Sequence, residues 1–243
     1  METVDSTNAE ALRRGRDGEA GPLWILAHSQ EAGRGRRGRA WDSPVGNLYA
    51  TCLLSETLAP ERAALLGLVA ALALADAIEV VAPAARGRLA VKWPNDILID
   101  GAKLAGILIE AESRPGQETR LVVGLGVNCL WHPTDLPYPA VSLRGLGAET
   151  GPGELFHALS GSWAQWLSVW RTSAGFAKIR ESWLDRATGL GGPITVRLPE
   201  ATLTGTFEDL DRQGRLILKG ADGARKVIGY GEVFLGTPGR IGI

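Results

Sequence analysis

From Ala63 to Ala75 the chain carries no polar side chain, and the run stops at Asp76, with Glu79 a turn later. It is shorter than the roughly 20 residues a membrane-spanning helix needs. A helix that is apolar all round has no face for water, so it must be covered on every side. Such an element reads as a buried core helix, covered by layers of other elements. The chain has 243 residues and 45% apolar side chains, enough for a core of that kind and too much for a disordered binder.

The flanking pattern supplies the layers. Trp24-Ile25-Leu26-Ala27 and Leu48-Tyr49-Ala50-Thr51-Cys52-Leu53-Leu54 read as strands, as do Val91-Lys92-Trp93, Ile97-Leu98-Ile99 and residues 104–112 and 121–129. Helices are expected at residues 7–14, with Gly15 as the stop, and at 61–78. Two more follow from the apolar stripes Leu155, Leu159, Trp163, Trp166, Trp170 and Phe176, Ile179, Trp183. A two-residue turn at Gly101-Ala102, glycine first, suits a hairpin. In that register Lys103 pairs with Asp100 and shares a sheet face with Asp96, at a separation too long for an ion pair. After Gly189-Leu190-Gly191-Gly192-Pro193 the pattern changes to short strands near 194–198, 201–207, 216–219, 225–228 and 232–235. So few strands avoid open edges only by closing, which makes a small barrel the expectation. The chain accordingly divides into residues 1–188 and 189–243.

Between the first two strands lies Gly33-Arg34-Gly35-Arg36-Arg37-Gly38-Arg39. Glycine lets the backbone approach a ligand closely, and guanidinium groups offer planar forks of donors to carboxylate or phosphate oxygens. The loop is either a nucleic-acid patch or the wrap around a local anion. A net charge of −1 lacks the broad basic footprint of a nucleic-acid domain and favours the local anion. Cys52 and Cys129 sit in apolar, strand-like surroundings without metal-ligand spacing, so they read as buried thiols of a cytoplasmic protein. Residues 1–16 are polar and charged, unlike a secretory signal, and His28, His132 and His157 are scattered.

Four segments, taken in order, resemble the catalytic core of the biotin protein ligases: Asp5-Ser6-Thr7-Asn8; Gln30 with the 33–39 loop and Trp41; Lys92-Trp93-Pro94-Asn95-Asp96 running on to Lys103-Leu104-Ala105-Gly106-Ile107; and Gly124-Leu125-Gly126-Val127-Asn128. These enzymes activate biotin with ATP to biotinyl-5'-AMP, release pyrophosphate, and pass biotin to a lysine of a biotin carboxyl carrier protein or carboxylase domain. The resemblance implies an α+β fold, with a class II synthetase-like core of mixed sheet plus helices followed by a small SH3-like β-barrel. It implies that Ser6, Thr7, Asn8 and Gln30 read the biotin head group. Arg34, Gly35 and Arg36 would fold over biotin and its adenylate, with Lys103 on the carboxylate and phosphate oxygens. On the ATP side it implies Arg36, Arg39, Trp41, Lys92, Asn95 and Asn128, with Lys103, Arg36 and Asp96 carrying the chemistry. Asp96 either helps the target lysine lose its proton or orients it.

The chemistry suits these residue types. Biotin's carboxylate and the α-phosphate of ATP repel each other until cations sit between them. The mixed anhydride formed is easily hydrolysed, so a closing loop with three glycine hinges would exclude water. Magnesium is implied as the partner of ATP, without a dedicated ligand cluster. No winged helix-turn-helix precedes Ser6, so DNA is not an expected partner; the apolar run is too short to span, so neither is a membrane; and a homodimer is left open.

Plainer readings stand beside these. Thr7-Asn8-Ala9-Glu10 has the pattern of a capping box. Trp41 can be core, Asp96 a turn carboxylate, Lys103 a surface partner of Asp100, and Lys92 a snorkelling strand-end lysine. Lipoate ligation or octanoyl transfer, on the same fold, is the enzymatic alternative, against which the arginine loop and Lys92-Trp93-Pro94-Asn95-Asp96 speak for biotin.

Overall fold

The computed structural model describes residues 1–56, 62–63, 65–112 and 119–236. In chain order the first part comprises β1 (Thr3–Val4), α1 (Thr7–Arg16), β2 (Leu23–Ala27), β3 (Ser29–Gln30), β4 (Leu48–Glu56), α2 (Leu66–Val81), β5 (Leu89–Lys92), β6 (Asp96–Ile99), β7 (Ala102–Glu112) and β8 (Thr119–Val127). Two helices follow, α3 (Pro152–Arg171) and α4 (Gly175–Leu184). The chain then makes β9 (Pro193–Arg197), β10 (Thr202–Leu210), β11 (Leu216–Lys219), β12 (Arg225–Ile228) and β13 (Glu232–Leu235).

Six strands form one sheet in the order β2-β4-β8-β7-β6-β5, antiparallel at every step. A small parallel ladder joins β1 to β3 and lays the start of the chain beside the approach to the 33–39 loop. Strand side chains alternate between faces. On β4, Leu48, Ala50, Cys52 and Leu54 face the main core, where α2 is buried along most of its length beneath α3 and α4. Leu53 faces the other way, with Val122 and Ile25, and packs against Ala11 of α1. The large helical layer therefore leaves the second face of the sheet to α1 and to a cleft.

The expected stripes on α3 and α4 are the buried ones, with Leu155, Leu159, Trp163, Trp170, Ile179 and Trp183 all in the core. Trp166 is partly buried and donates its indole N–H to Asp76, the residue that ends the apolar run. The expected start of α2 at residue 61 lies outside the described residues. α1 runs one residue past Gly15, which serves packing: a Cβ there would stand 2.9 Å from Arg120 Cδ.

β9 to β13 form an antiparallel five-stranded sheet in the order β12-β11-β10-β9-β13. Among the described residues no ladder joins β12 to β13, so closure of the expected barrel is not seen. Residues 237–243, the end of that expected unit, lie outside the description. Its core residues Ile194, Val196, Phe207 and Leu218 belong to the same apolar cluster as α2. Trp93 Nε1 crosses to it and donates to the carbonyl of Gly214 at 3.1 Å.

Both thiols are fully buried and unpaired with each other, and burial pushes each up to about 12. The reactive form is the thiolate. At pH 8 an alkylating reagent is expected to leave the native protein unlabelled and to label both cysteines once it is denatured. Intact-mass measurement checks this, and rapid native labelling of either thiol would contradict the placement.

Candidate active site

The cleft lies on the sheet face away from α2, enclosing about 980 Å³ with its open mouth. Alternation explains its floor. Leu121, Val123, Leu125 and Val127 of β8 point into the main core, which leaves Gly124 and Gly126 facing the cleft, with Gly106 of β7 directly opposite Gly126. Bare backbone here admits side chains from elsewhere. A Cβ on Gly126 would fall 2.6 Å from Trp41 Nε1, and one on Gly124 only 2.1 Å from Asn8 Oδ1. Trp41 thus rests on the glycine pair and lines the cleft.

One end is neutral and hydrogen-bonded. Gln30 Oε1 accepts from both the backbone N–H and the hydroxyl of Thr7, at 2.9 and 3.1 Å, while Gln30 Nε2 donates to Ser43 Oγ. The capping-box reading of Thr7 fails. Ser6 is the N-cap without a side-chain bond, Gln30 serves the helix terminus instead, and Glu10 pairs with Arg13 and Arg14. Ser6, Thr7 and Asn8 are all buried at the cleft wall.

The other end is charged. In the hairpin of β5 and β6, Lys92 pairs with Asp96 across the turn Trp93-Pro94-Asn95. The next turn corrects the expected register. Its two central residues are Asp100 and Gly101, both with positive φ (49° and 82°), so Ile99 faces Ala102 and Leu98 faces Lys103. A two-residue turn with this handedness is the usual joint of a twisted hairpin. A bulge between Ile97 and Leu98 shifts the register further. Lys103 consequently stands within reach of Asp96, and the expected pair of separated neighbours is an ion pair of 2.7 Å between Lys103 Nζ and Asp96 Oδ1. Lys92 Nζ approaches the other oxygen at 3.9 Å, and Asp100 pairs with Arg88. Lys103 Nζ also lies 5.4 Å from the Trp41 ring centre and 5.7 Å from that of Tyr138. Burial holds the Lys92 ammonium below its ordinary pKa, opposed by the charge of Asp96.

The 33–39 loop folds on itself through Gly35 N–H to Arg39 O at 2.8 Å and Trp41 N–H to Gly33 O at 2.9 Å. Of its three expected hinges, Gly38 has a positive φ (71°), whereas Gly33 is required by close packing, a Cβ there meeting Trp41 O at 2.4 Å. Arg36 donates to the carbonyl of Gly231 (3.2 Å) and to Asn95 Oδ1 (3.4 Å). Arg39 makes a bidentate pair with Glu232 at 2.5 and 2.6 Å, and that guanidinium holds the Glu232 carboxyl below its usual range. Burial, reinforced by neighbouring Arg37, lowers the pKa of Arg36. Arg34 turns the other way, to Glu110 Oε1 at 3.5 Å. Three of the loop's four arginines thus contact partners within the chain.

The cleft brings together Ser6, Thr7, Asn8, Gln30, Arg34, Gly35, Arg36, Arg39, Trp41, Lys92, Asn95, Asp96 and Lys103. Asn128 lies outside it. Its amide donates to the main-chain carbonyls of Lys103 and Val141 at 3.4 and 3.1 Å, so its place is to hold the strand that carries Lys103. Glu232, Thr51, Glu110 and Tyr138 were missed by sequence reasoning. A hydroxyl at 51 and a carboxylate at 110, each inside an apolar strand, were the available signals. Among the described residues no group of three or more His, Cys, Asp or Glu is placed to hold a metal ion.

Residues 2–128 match the biotin/lipoate A/B protein ligase family, and residues 189–236 match the biotin protein ligase C terminal domain. The chain belongs to this family. A biotin--[acetyl-CoA-carboxylase] ligase of Paracoccus denitrificans is 46% identical over 241 residues, covering 96% of this chain and 98% of that one. The bifunctional ligase/repressor BirA of Escherichia coli is 30% identical over 97% of this chain and 73% of its own length. Among solved structures, the biotin protein ligase from Aquifex aeolicus in complex with biotin and ATP superposes with a TM-score of 0.79 at 26% identity, over 97% of this chain and 96% of that one. The fold of this ligase family, with its SH3-like C-terminal part, is therefore the fold of this chain.

Proposed function

We propose that the chain is an ATP-dependent biotin protein ligase, which forms biotinyl-5'-AMP and transfers biotin to a lysine of a carboxylase carrier protein. The observation that carries this reading is the joining of thirteen of the fourteen candidate site residues, all but Asn128, in a single cleft, neutral at one end and cationic at the other. A cyclic urea suits the hydroxyls and amides of Ser6, Thr7 and Gln30. A carboxylate meeting a phosphate suits Arg36, Arg39, Lys92 and Lys103.

In the first step a biotin carboxylate oxygen bonds to the α-phosphorus of ATP, and the bond to pyrophosphate breaks. Lys103, aimed by Asp96, stabilises the negative charge that gathers there, with Lys92 behind it. Arg36 and the 33–39 loop cover the anhydride, and Trp41 offers its ring to the adenine. In the second step the target lysine's neutral amine attacks the acyl carbon, the bond from that carbon to the phosphate oxygen breaks as AMP leaves, and the nitrogen's surplus proton passes to the departing phosphate or to water. Asp96, already held by Lys103, orients that amine. The described residues offer no carboxylate cage for magnesium, so the ion is read as ATP's own companion and no step is assigned to it. We also divide the chain at residue 188 and place the protein in the cytoplasm, readings supported by the C-terminal match beginning at residue 189 and by two buried free thiols.

The test is exchange of labelled pyrophosphate into ATP. Exchange is expected with biotin and absent with lipoate or octanoate. Exchange driven by lipoate or octanoate and not by biotin would move the protein to the alternative substrate class.

A further inference from the structure

Asn8 has no spare donor. One amide hydrogen goes to the carbonyl of Leu108 at 3.3 Å and the other to Glu110 Oε2 at 2.8 Å. Its oxygen accepts from the buried hydroxyl of Thr51 at 2.7 Å. A carboxylate and a main-chain carbonyl only accept, so Glu110 and Leu108 together fix which end of the Asn8 amide carries nitrogen, Glu110 through the shorter bond, and that in turn fixes the direction of the Thr51 hydroxyl. The oxygens of Thr51 and Thr7 stand 2.8 Å apart. With the Thr51 hydrogen committed to Asn8, the Thr7 hydrogen is drawn inward, to Thr51 or to Gln30. From the far side the same logic holds: Ser43 donates to the carbonyl of Trp41, so it accepts from Gln30 Nε2 and leaves Gln30 Oε1 facing Thr7. Two acceptor-only ends thus orient the whole chain of polar groups.

We propose that Glu110 is a positioning residue for the neutral end of the cleft: by anchoring Asn8 it sets Thr51 and Thr7, so that Thr7 presents an acceptor lone pair to an N–H of the bound ligand. Glu110 does not line the cleft and acts through Asn8. Its other oxygen faces Arg34 of the closing loop, which ties the loop's first arginine to the same anchor. The inference rests on the biotin reading, since it is the cyclic urea that supplies the N–H.

Steady-state adenylation measured separately against biotin and ATP tests it. Glu110→Ala is expected to raise KM for biotin about tenfold, with kcat within about twofold and KM for ATP unchanged, because one buried amide loses its fixed partner. Glu110→Gln keeps an oxygen for Asn8 and is expected to stay near the parent. Thr51→Val breaks the chain from the other side and is expected to raise KM for biotin similarly, the double variant being no worse than the poorer single. Should Glu110→Ala not fold, Thr51→Val carries the same expectation. Parent-like KM in Glu110→Ala, equal shifts for biotin and ATP, additive singles, or a Gln variant as defective as Ala would each overturn the proposal. If the parent itself shows no biotin-dependent exchange, the functional reading falls first and separately.

Discussion

Replacing Lys103 by alanine slows formation of the acyl adenylate by about a hundredfold or more, the effect expected when an aimed cation is taken from a site where charge builds up. Geometry supports the size of the effect. Lys103 is not a swinging surface lysine: Asp96 fixes its ammonium at 2.7 Å, the Trp41 and Tyr138 rings flank it, and its side chain is only 18% exposed. Lys92 remains, but it sits 3.9 Å from the opposite oxygen of Asp96 and cannot take the vacated place without moving. Lys103→Met is the companion variant, since it keeps the stem packed beside Gly106 while removing the charge. Single-turnover adenylation reads both. A normal rate in either would end the role assigned to Lys103, and a slow rate in alanine alone would trace the defect to packing.

Arg36→Ala is expected to release the intermediate. The side chain spans from the loop to Asn95 and to the carbonyl of Gly231, and both hydrogen bonds are long enough, at 3.4 and 3.2 Å, to be exchanged for shorter ones to a phosphate oxygen. Loss of a charged hydrogen-bond donor typically removes about 1.5 to 3 kcal/mol, so the adenylate should dissociate about ten- to a hundredfold faster. Activated biotin would then label bystander lysines. A blot for biotin on an unrelated protein, paired with a chase of labelled adenylate, measures this. Retention as tight as the parent's would remove Arg36 from the lid.

The contrast between these two residues shows what local sequence can specify. The strands of both sheets were legible because their apolar alternation is local, and Lys92-Trp93-Pro94-Asn95-Asp96 was legible as a unit because a tight hairpin joins its ends. Lys103 was rightly sent to the same sheet face as Asp96. Its ion pair was missed because two adjacent turns were open at Asp100-Gly101-Ala102, and choosing the second slipped the register. The bulge at Ile97 to Leu98 has no sequence mark at all. Asn128 failed for a different reason: an amide at a glycine-rich strand end is as useful to main-chain carbonyls as to a ligand, and only the fold decides. Glu110 and Glu232 were beyond local reasoning, since their partners Asn8 and Arg39 lie 102 and 193 positions away.

That last separation has a bearing on how the protein is made. The four loop arginines leave the ribosome early, whereas Glu232 and Gly231 belong to the final described strand and its approach. Contacts so distant in sequence form late, after the intervening chain has collapsed. A nascent or truncated chain that stops short of β13 would carry every arginine of the 33–39 loop and lack both of its C-terminal moorings. The N-terminal sheet and hairpin hold the loop through Glu110 and Asn95, and β13 with its approach adds the moorings at Glu232 and Gly231.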